Sequence, residues 1–329
     1  MRLRTILFLV NGIALLAFLV MAIAGARRRK PSTPMNLTEY YDDPTMEGPK
    51  LERFLGAAVI FSAILAATLP VYWLLEPSRQ TKMTKDFLAA STERGRLRFA
   101  VAGTVPPSEV LNLECARCHG AKGEGGAATF LLPPTKPGDL AKTVSWTAPS
   151  LNDELLRFSR DEVTQVITYG RPGTPMPAWG LAGGGPLPDQ PIEDLVNFIQ
   201  SIQLTPQEAM KRNTDRANQI MKDNPGISEG QALFMANCAR CHTKGYSYGE
   251  PEQEGAGGAF GPNLTNGVEL RQFPALAGGV AKQIEFVTTG SDFQKAYGTQ
   301  GIGSGRMPGF GQELSARQIE QIVLYERSL

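Results

Sequence analysis

Two identical pentapeptides decide the fold of this chain: Cys115-Ala116-Arg117-Cys118-His119 and Cys238-Ala239-Arg240-Cys241-His242. The chain of 329 residues has four cysteines and two histidines, and all six lie in these pentapeptides. The pattern C-x-x-C-H is the attachment sequence of c-type haem, in which both thiols bind one porphyrin covalently and the histidine gives an axial nitrogen to the iron. The sequence therefore predicts two haem c groups, with His119 and His242 as iron ligands. The predicted attachment thiols are those of Cys115, Cys118, Cys238 and Cys241.

A C-x-x-C pair has two other common functions. A thioredoxin-like redox pair needs neither the adjacent histidine nor a second copy. A zinc site needs both pairs to converge on one metal ion, whereas positions 115 and 238 are 123 residues apart and each pair has its own histidine. The use of every cysteine and every histidine in the same motif favours haem over both alternatives.

The composition argues against a nucleic-acid partner and indicates folded domains. Basic and acidic residues number 33 and 32, which leaves a formal net charge of +1 and no basic field of the kind that nucleic-acid binding needs. Apolar residues make up 42% of the chain, with two dense blocks near the N-terminus. Many of the 35 glycines cluster after each pentapeptide and near the ends of loops, so the high content of glycine and proline indicates loops rather than low-complexity sequence.

Residues 6–26 and residues 54–75 are two apolar runs of about 21 residues, the length that a helix needs to cross about 30 Å of hydrocarbon. Four cations, Arg27-Arg28-Arg29-Lys30, follow the first run directly, and by the positive-inside rule they place the loop between the runs in the cytoplasm. We therefore expect residues 1–76 to form an anchor with two transmembrane helices in the cell membrane. The haem domains that follow are then expected on the extracytoplasmic side.

The first apolar run has a second interpretation as a cleaved signal peptide, because Ala22-Ile23-Ala24 resembles a cleavage site. The four cations that follow resist translocation and argue against cleavage. Removing the first run and keeping the second would also leave the pentapeptides inside the cell, whereas haem is attached to C-x-x-C-H on the outer side of the membrane. Two retained spans satisfy both requirements.

The segments that follow the two pentapeptides repeat one series of features. Each has a Pro-x-Leu sequence, at Pro149 and at Pro262, then a helical stretch, a loop with Met-Pro and a closing amphipathic helix. The predicted helical stretches are residues 161–169 and 192–202 in the first copy and residues 281–289 and 315–328 in the second. The predicted organisation is a first domain over residues 77–204, a charged helical linker over residues 205–226 and a second domain over residues 227–329.

A glycine and a phenylalanine four residues apart precede each pentapeptide, as Gly95 and Phe99 and as Gly230 and Phe234. Phe99 precedes its pentapeptide by 16 residues and Phe234 by 4, which indicates a 12-residue insertion in the first copy. We expect each glycine to allow close packing of its helix against the closing helix.

These features resemble class I cytochrome c over about residues 93–203 and 227–329. The resemblance implies an all-α fold with the haem in a cleft, a histidine on one side of the iron and a methionine on the other. The whole layout, two N-terminal spans followed by tandem haem domains, resembles subunit III of cbb3-type oxidases. It also resembles the dihaem subunits of actinobacterial cytochrome bc complexes.

The chain has no further histidine for the second axial position of either iron, so the candidates are methionine, lysine or an open site. Met176 and Met307 lie 57 and 65 residues after their histidines, each in a Gly- and Pro-rich loop and each followed by proline. A thioether ligand raises the reduction potential of haem, and we predict both methionines as ligands. The carbonyls of Pro149 and Pro262 are predicted to accept the Nδ1–H of the two histidines.

An iron with six ligands has no position for a substrate, so each haem is expected to exchange electrons, and the sequence contains no recognisable catalytic site of its own. This argues against a dihaem peroxidase, which needs a second histidine pair or a site that opens.

We expect electron transfer within a quinol–cytochrome c reductase or a haem–copper oxidase. The expected partners are cytochrome b and Rieske subunits or oxidase subunits, with another cytochrome c or a copper protein in addition. Two alternatives are the electron-accepting subunit of a membrane-bound dehydrogenase and a free membrane-tethered shuttle.

Overall fold

The computed structural model of this chain describes residues 2–27, 37, 47–106, 110–132, 138, 140–172, 174–242 and 261–329. The chain divides into two compact units, Met1–Phe87 and Leu88–Leu329. Most of the predicted cytoplasmic loop, including Arg28 to Lys30, lies outside the described residues, and so does the Gly-rich loop after the second pentapeptide.

Most of the chain is helical, as predicted. The α-helices are α1 (Arg2–Arg27), α2 (Pro49–Phe99), α3 (Ala116–His119), α4 (Arg160–Tyr169), α5 (Asp189–Ser201), α6 (Pro206–Asp223), α7 (Glu229–Asn237), α8 (Ala239–His242), α9 (Val268–Gln272), α10 (Gly279–Thr289) and α11 (Ala316–Glu326). The strands are β1 (Gly126–Leu132), β2 (Lys142–Ala148), β3 (Ala296–Tyr297) and β4 (Gly301–Ile302). Short 3-10 turns occur at Glu154–Leu156, Leu181–Gly183 and Ala275–Ala277.

The first unit contains two helices long and apolar enough to cross a membrane. Apolar side chains along both helices are exposed, as expected of surfaces that contact lipid. Asn11 Nδ2 of α1 donates to Thr68 Oγ1 of α2 over 3.4 Å, and the rings of Phe8 and Tyr72 meet edge to face with centroids 6.4 Å apart. The two helices therefore pack against each other within this unit.

The second apolar run forms part of a much longer helix than its hydrophobic segment suggested. The predicted span ended at residue 75, whereas α2 continues to Phe99 over 51 residues. Pro70 and Pro77 lie inside it, and each removes one backbone donor. An ion pair between Glu76 and Arg79, one helical turn apart, supports the helix where its apolar character ends. The end of α2 is the helix that the sequence predicted before the first pentapeptide.

In the first copy, the end of α2 packs against the closing helix α5. A Cβ on Gly95 would lie 2.6 Å from the carbonyl carbon of Asp194, and Phe99 packs on Phe198 with ring centroids 5.1 Å apart. Ser91 Oγ donates to the Asp194 carboxylate over 2.7 Å. The buried apolar core contains Phe99, Ala116, Val163, Ile167, Leu187, Ile192, Leu195, Val196, Phe198 and Ile199.

The second copy repeats this packing with α7 and α11. A Cβ on Gly230 would lie 2.8 Å from the carbonyl carbon of Gln321, and Phe234 packs on Tyr325 with ring centroids 5.4 Å apart. The predicted role of both glycines, to let the helix before the pentapeptide approach the closing helix, is confirmed. The core contains Ala217, Ala232, Leu233, Phe234, Cys238, Ala239, Leu264, Val287, Phe310, Leu314, Ile319, Ile322 and Val323.

Two small antiparallel sheets, β1–β2 and β3–β4, are additions to the expected all-α fold, and β1–β2 is the larger. Strands β1 and β2 form an antiparallel hairpin between the first pentapeptide and Pro149, with Gly126 paired to Ala148 and Leu132 to Lys142. Trp146 is buried and meets the ring of Phe130 edge to face at 5.7 Å. The hairpin is an addition to the helical fold, since the cores of both copies are built by helices.

The segment predicted as a linker, residues 205–226, is an integral part of the second unit. Helix α6 begins at a capping box, in which Thr205 Oγ1 accepts from the Glu208 amide. Ala209 and Ala217 on this helix are buried, and Asn213 Nδ2 donates to the carbonyl of Glu313 over 3.1 Å. The predicted domain limits stay a prediction, but α6 packs on the second copy instead of running free between the two.

Candidate haem-binding sites

The first pentapeptide forms one helical turn, α3, preceded by Cys115. The amide of His119 donates to the carbonyl of Cys115 over 3.0 Å, and both cysteines are free thiols. Residues three positions apart lie on one face of such a turn, so the thiols of Cys115 and Cys118 lie on the same face. This arrangement suits two bonds to one porphyrin.

The second pentapeptide folds in the same way. Cys238 ends α7, the amide of His242 donates to its carbonyl over 3.1 Å, and α8 carries the remaining residues. Both cysteines of this pair are also free thiols. The repeat predicted from the sequence is therefore also a repeat of local backbone structure.

Each histidine ring has a hydrogen bond to the carbonyl that the sequence indicated. His119 Nδ1 lies 2.9 Å from the carbonyl oxygen of Pro149, and His242 Nδ1 lies 3.0 Å from that of Pro262. Since a carbonyl only accepts, Nδ1 carries the proton and Nε2 keeps its lone pair for a metal. Burial lowers the pKa of both histidines, while the carbonyl bonds oppose this shift. The rings are therefore neutral at pH 7, the state that iron ligation needs.

The backbone leaves no room for a side chain beside the second histidine. A Cβ on Gly261 would lie 2.8 Å from His242 Nε2 and would collide with the rest of the ring. Gly126 has the corresponding effect in the first site, where a Cβ would lie 2.6 Å from the Cys118 carbonyl oxygen. The free thiol pairs, the neutral imidazoles and these glycines fit a covalently bound haem at each site.

The surroundings of Cys115 and Cys238 argue against the alternative of a reactive thiol pair. Burial raises the pKa of Cys115 to about 12, and it raises that of the buried Cys238 as well. A redox pair needs a thiolate, which a partly exposed and electropositive surrounding stabilises. Among the described residues, no three His, Cys, Asp or Glu side chains come together as they would in a metal cluster.

The two methionine loops have one backbone arrangement in both copies. In the first, the carbonyl of Met176 accepts from the amide of Arg171 over 3.0 Å, and in the second that of Met307 accepts from Ser291 over 2.9 Å. Each loop packs against the glycine that ends the preceding helix, which is Gly170 in the first copy and Gly290 in the second. These glycines have φ of 67° and 80°, and a Cβ on Gly170 would lie 2.8 Å from the Met176 carbonyl oxygen. Both methionines thus hold equivalent places, and their ligation of iron stays a prediction.

The structure also brings the two copies together, which the sequence analysis did not predict. A narrow crevice is lined by Pro149 on one side and by Ala239 and Arg240 of the second pentapeptide on the other. Beside it, Arg157 of the first copy pairs with Glu313 of the second, with Nε and Oε1 2.8 Å apart. The two residues are 156 positions apart in the sequence. Sequence patterns indicate contacts between near neighbours, so they did not indicate this pair.

The chain matches one protein family in two places. The family of cbb3-type cytochrome c oxidase subunit III matches residues 106–199 and 225–325, once for each copy of the repeat. The cbb3-type cytochrome c oxidase subunit CcoP of Azospirillum sp. (strain B510) is 25% identical over 240 residues. The alignment covers 72% of this chain and 64% of the relative, so the chain spans just under two thirds of that protein's length. No solved structure matches the chain significantly.

Proposed function

Because this chain belongs to the cbb3-type cytochrome c oxidase subunit III family, we propose that it transfers electrons through two haem c groups as a membrane-anchored subunit of a haem–copper oxidase. One observation carries the proposal. Each of the two family matches contains one C-x-x-C-H sequence whose histidine ring bonds a proline carbonyl. Two complete copies of the same site support two haems in one chain.

The proposed roles follow from the chemistry of each side chain. The four thiols would hold the porphyrins covalently, and the Nε2 atoms of His119 and His242 would bind the irons. Met176 and Met307 would each supply a thioether ligand. The carbonyls of Pro149 and Pro262 orient the imidazoles, raise their basicity and keep the proton on Nδ1. Haem held in this way exchanges single electrons at a raised reduction potential.

Electron transfer is favoured over catalysis because of the side chains that the chain can supply around each iron. With both histidines committed to the proximal side, an imidazole for general acid–base chemistry is lacking. A methionine ligand on the distal side also leaves a substrate no position to bind. The chain itself therefore acts as an electron-transfer subunit, and another subunit of the complex reduces oxygen.

The proposed partners are the integral membrane subunits of the oxidase, and another cytochrome c or a copper protein is the proposed electron donor. The family favours this complex over a quinol–cytochrome c reductase with cytochrome b and Rieske subunits, and over a membrane-bound dehydrogenase or a free shuttle. The two apolar helices of the first unit support a location in the membrane. We place the haem domains on the extracytoplasmic side, where C-x-x-C-H acquires haem.

Purification of the full chain from its native membrane in mild detergent tests this proposal. The expected result is two haem c per chain by pyridine haemochrome assay, a haem-stained band on a denaturing gel and copurification with haem–copper oxidase subunits. Cys118→Ser and Cys241→Ser should each remove covalent haem from one site only. A band without haem stain would exclude the proposal, and copurification with cytochrome b and Rieske subunits would redirect it to the reductase.

A further inference from the structure

A buried ion pair joins the two haem-site copies. Arg157 and Glu313 have side chains only 2% and 1% exposed, and Arg157 Nε lies 2.8 Å from Glu313 Oε1. Arg157 follows the 3-10 turn of the first copy, and Glu313 lies just before α11 of the second. Because both groups have lost their hydration, their charges need nearby groups of opposite charge for compensation.

Neighbouring groups hold Arg157 on both sides. Within the first copy its Nη2 lies 2.5 Å from Glu154 Oε2 and 3.5 Å from Asp153 Oδ1. The guanidinium carbon lies 6.0 Å from the ring centroid of Phe158 and 5.9 Å from that of Phe310, which belongs to the second copy. The side chain is therefore fixed by one aromatic ring from each copy and by carboxylates from both.

Helix α6 closes the network between the copies. Arg212 on this helix pairs with Asp153, and its Nη1 donates to Asn152 Oδ1 over 2.5 Å. The next residue, Asn213, donates to the carbonyl of Glu313. One helix thus binds the acidic segment of the first copy and the backbone of the second copy at neighbouring positions.

Both ends of the pair belong to segments that build the haem sites. Arg157 lies eight residues after Pro149, the acceptor for His119, and Ser150 Oγ next to that proline donates to Asp153 over 2.7 Å. Glu313 lies six residues after Met307. The pair therefore ties the histidine side of the first site to the methionine loop of the second.

We propose that the Arg157–Glu313 pair is a positioning device that holds the two haem sites at one separation and orientation, so that an electron passes between them within the chain. This inference rests on the proposed function, that both sites bind haem. In the step that it serves, one site is oxidised and the other reduced by one electron, with no bond made and no proton moved. Swinging the copies apart would take Glu313 away from its arginine partner, while Arg157 would keep Glu154 and Asp153, and the loss of this pair opposes such motion.

The test compares Glu313→Gln with the unaltered full chain, both carrying haem. Glutamine keeps the shape of the side chain and removes its charge, while Arg157 keeps Asp153 and Glu154. Pulsed EPR gives the distance distribution between the two ferric haems, and flash reduction gives the rate of transfer between them. We expect a broader distance distribution and a lower rate of transfer, because the two haems would no longer be held at one separation.

Glu229→Gln is the matched control. It removes the exposed ion pair between Glu229 Oε1 and Arg317 Nη2, 2.5 Å apart, which lies within the second copy. It should leave the distance distribution and the rate unchanged. If Glu313→Gln does not accumulate, Glu313→Asp, which keeps the charge and withdraws it by one methylene, should show the same broadening in a weaker form.

The outcomes separate this inference from the function on which it rests. An unaltered chain without two haems would contradict the proposed function. Two haems, together with an unchanged distance and rate in a folded Glu313 variant, would overturn the positioning role and leave the function intact.

Discussion

At the scale of single residues, both site histidines have the tautomer that metal binding needs. The proline carbonyls fix the proton of His119 and His242 on Nδ1, and burial keeps both rings neutral. The sequence predicted both acceptors, because Pro-x-Leu follows each C-x-x-C-H in the same order. Such a bond is local to one copy and is repeated, which is why sequence pattern was sufficient to find it.

The proposed methionine ligands lead to a prediction about reduction potentials. Met176→His should lower the potential of one haem and Met307→His that of the other, because imidazole stabilises ferric iron more than a thioether does. Both variants should keep their haem, since the thiols are unchanged. Redox titration followed by optical spectroscopy measures the two potentials. Met210→His on α6 is the control, and a titration of Met176→His that matches this control would remove Met176 as a ligand.

A buried carboxyl group should make the stability of the second copy depend on pH. Glu326 on α11 is 5% exposed, and Gln283 Nε2 donates to its Oε2 over 3.0 Å. Burial raises the pKa of Glu326 from 4.5 to about 8, and nearby Glu269 adds to the rise. Between these two values the folded chain binds a proton that the unfolded chain has lost. Stability should therefore fall as the pH rises from about 4.5 to about 8 and level off above that.

Glu326→Gln tests this dependence. The amide keeps the shape and cannot ionise, so the variant should lose most of the slope and be the more stable protein at pH 8. At about 1.4 kcal/mol per pKa unit, the expected gain is on the order of a few kcal/mol. Urea unfolding at several pH values gives the free energy of unfolding. The exposed Glu320→Gln on the same helix should keep the slope, and equal slopes in the two variants would refute the assignment.

The Arg157–Glu313 pair is a contact that the sequence could not predict. Asp153, Glu154 and Arg157 have the spacing of ion pairs on one helical face, so their local contacts were predictable. Glu313 is 156 positions away and belongs to the other copy. A pattern within one segment contains no information on which surface of a second domain will cover it.

At the scale of elements, the glycine four residues before each phenylalanine was the clearest sequence signal for packing between helices. Gly230→Ala adds a Cβ that would lie 2.8 Å from the Gln321 carbonyl carbon and 3.1 Å from Tyr325 Cβ. Helices α7 and α11 must then separate, so we expect a loss of about 1–3 kcal/mol in the free energy of unfolding, although alanine favours helix. Denaturant unfolding of the haem-loaded chain measures it.

Gln231→Ala is the neighbouring control for this substitution. It changes the same helix without adding an atom at the contact between helices, and we expect less than about 0.5 kcal/mol. Gly95→Ala should repeat the loss in the first copy, where the new Cβ would lie 2.8 Å from Phe198 Cβ. A Gly230→Ala protein as stable as the Gln231→Ala protein would mean that the close approach is not needed.

The hairpin and the packing of α6 are two features of the elements that the sequence did not predict. Strand β2 carries the alternating Thr143, Ser145 and Thr147 around the buried Trp146, which is a strand signal. The sequence was not interpreted as a strand there. Helix α6 was predicted as a charged helical linker, and its packing on the second copy was not predicted. Its few buried positions, Ala209, Asn213 and Ala217, are small or polar and do not stand out as a core face.

At the scale of the whole molecule, the unit Leu88–Leu329 contains both copies of one haem-site fold. The repeat was evident from order and spacing along the chain, because each copy builds its site from its own segments. The way in which the copies pack on each other was not, since it depends on α6 and on single side chains. The proposed electron transfer depends on both, as each site would set one reduction potential and the packing would set the distance between the two sites.

The orientation that we propose for the molecule in its membrane rests on a few charges. By the positive-inside rule, Arg27 to Lys30 would keep the loop between the two spans in the cytoplasm, so that the pentapeptides would be exported. Replacing these four cations by glutamine should invert part of the population. Inverted chains keep their cysteines in the cytoplasm, away from the machinery that attaches haem. Haem stain per chain should therefore fall, together with the fraction of the chain that protease digests in intact spheroplasts.

Lys82 and Lys85, which follow the second span on α2 and have exposed side chains, provide the control. Replacing them by glutamine removes positive charge from the side that we place outside, so haem stain and protease access should be kept. The two measurements must change together, because haem attachment reports the location of the pentapeptides and protease reports the location of the same domains. A loss of haem with full protease access would show that the cations act on maturation and not on orientation.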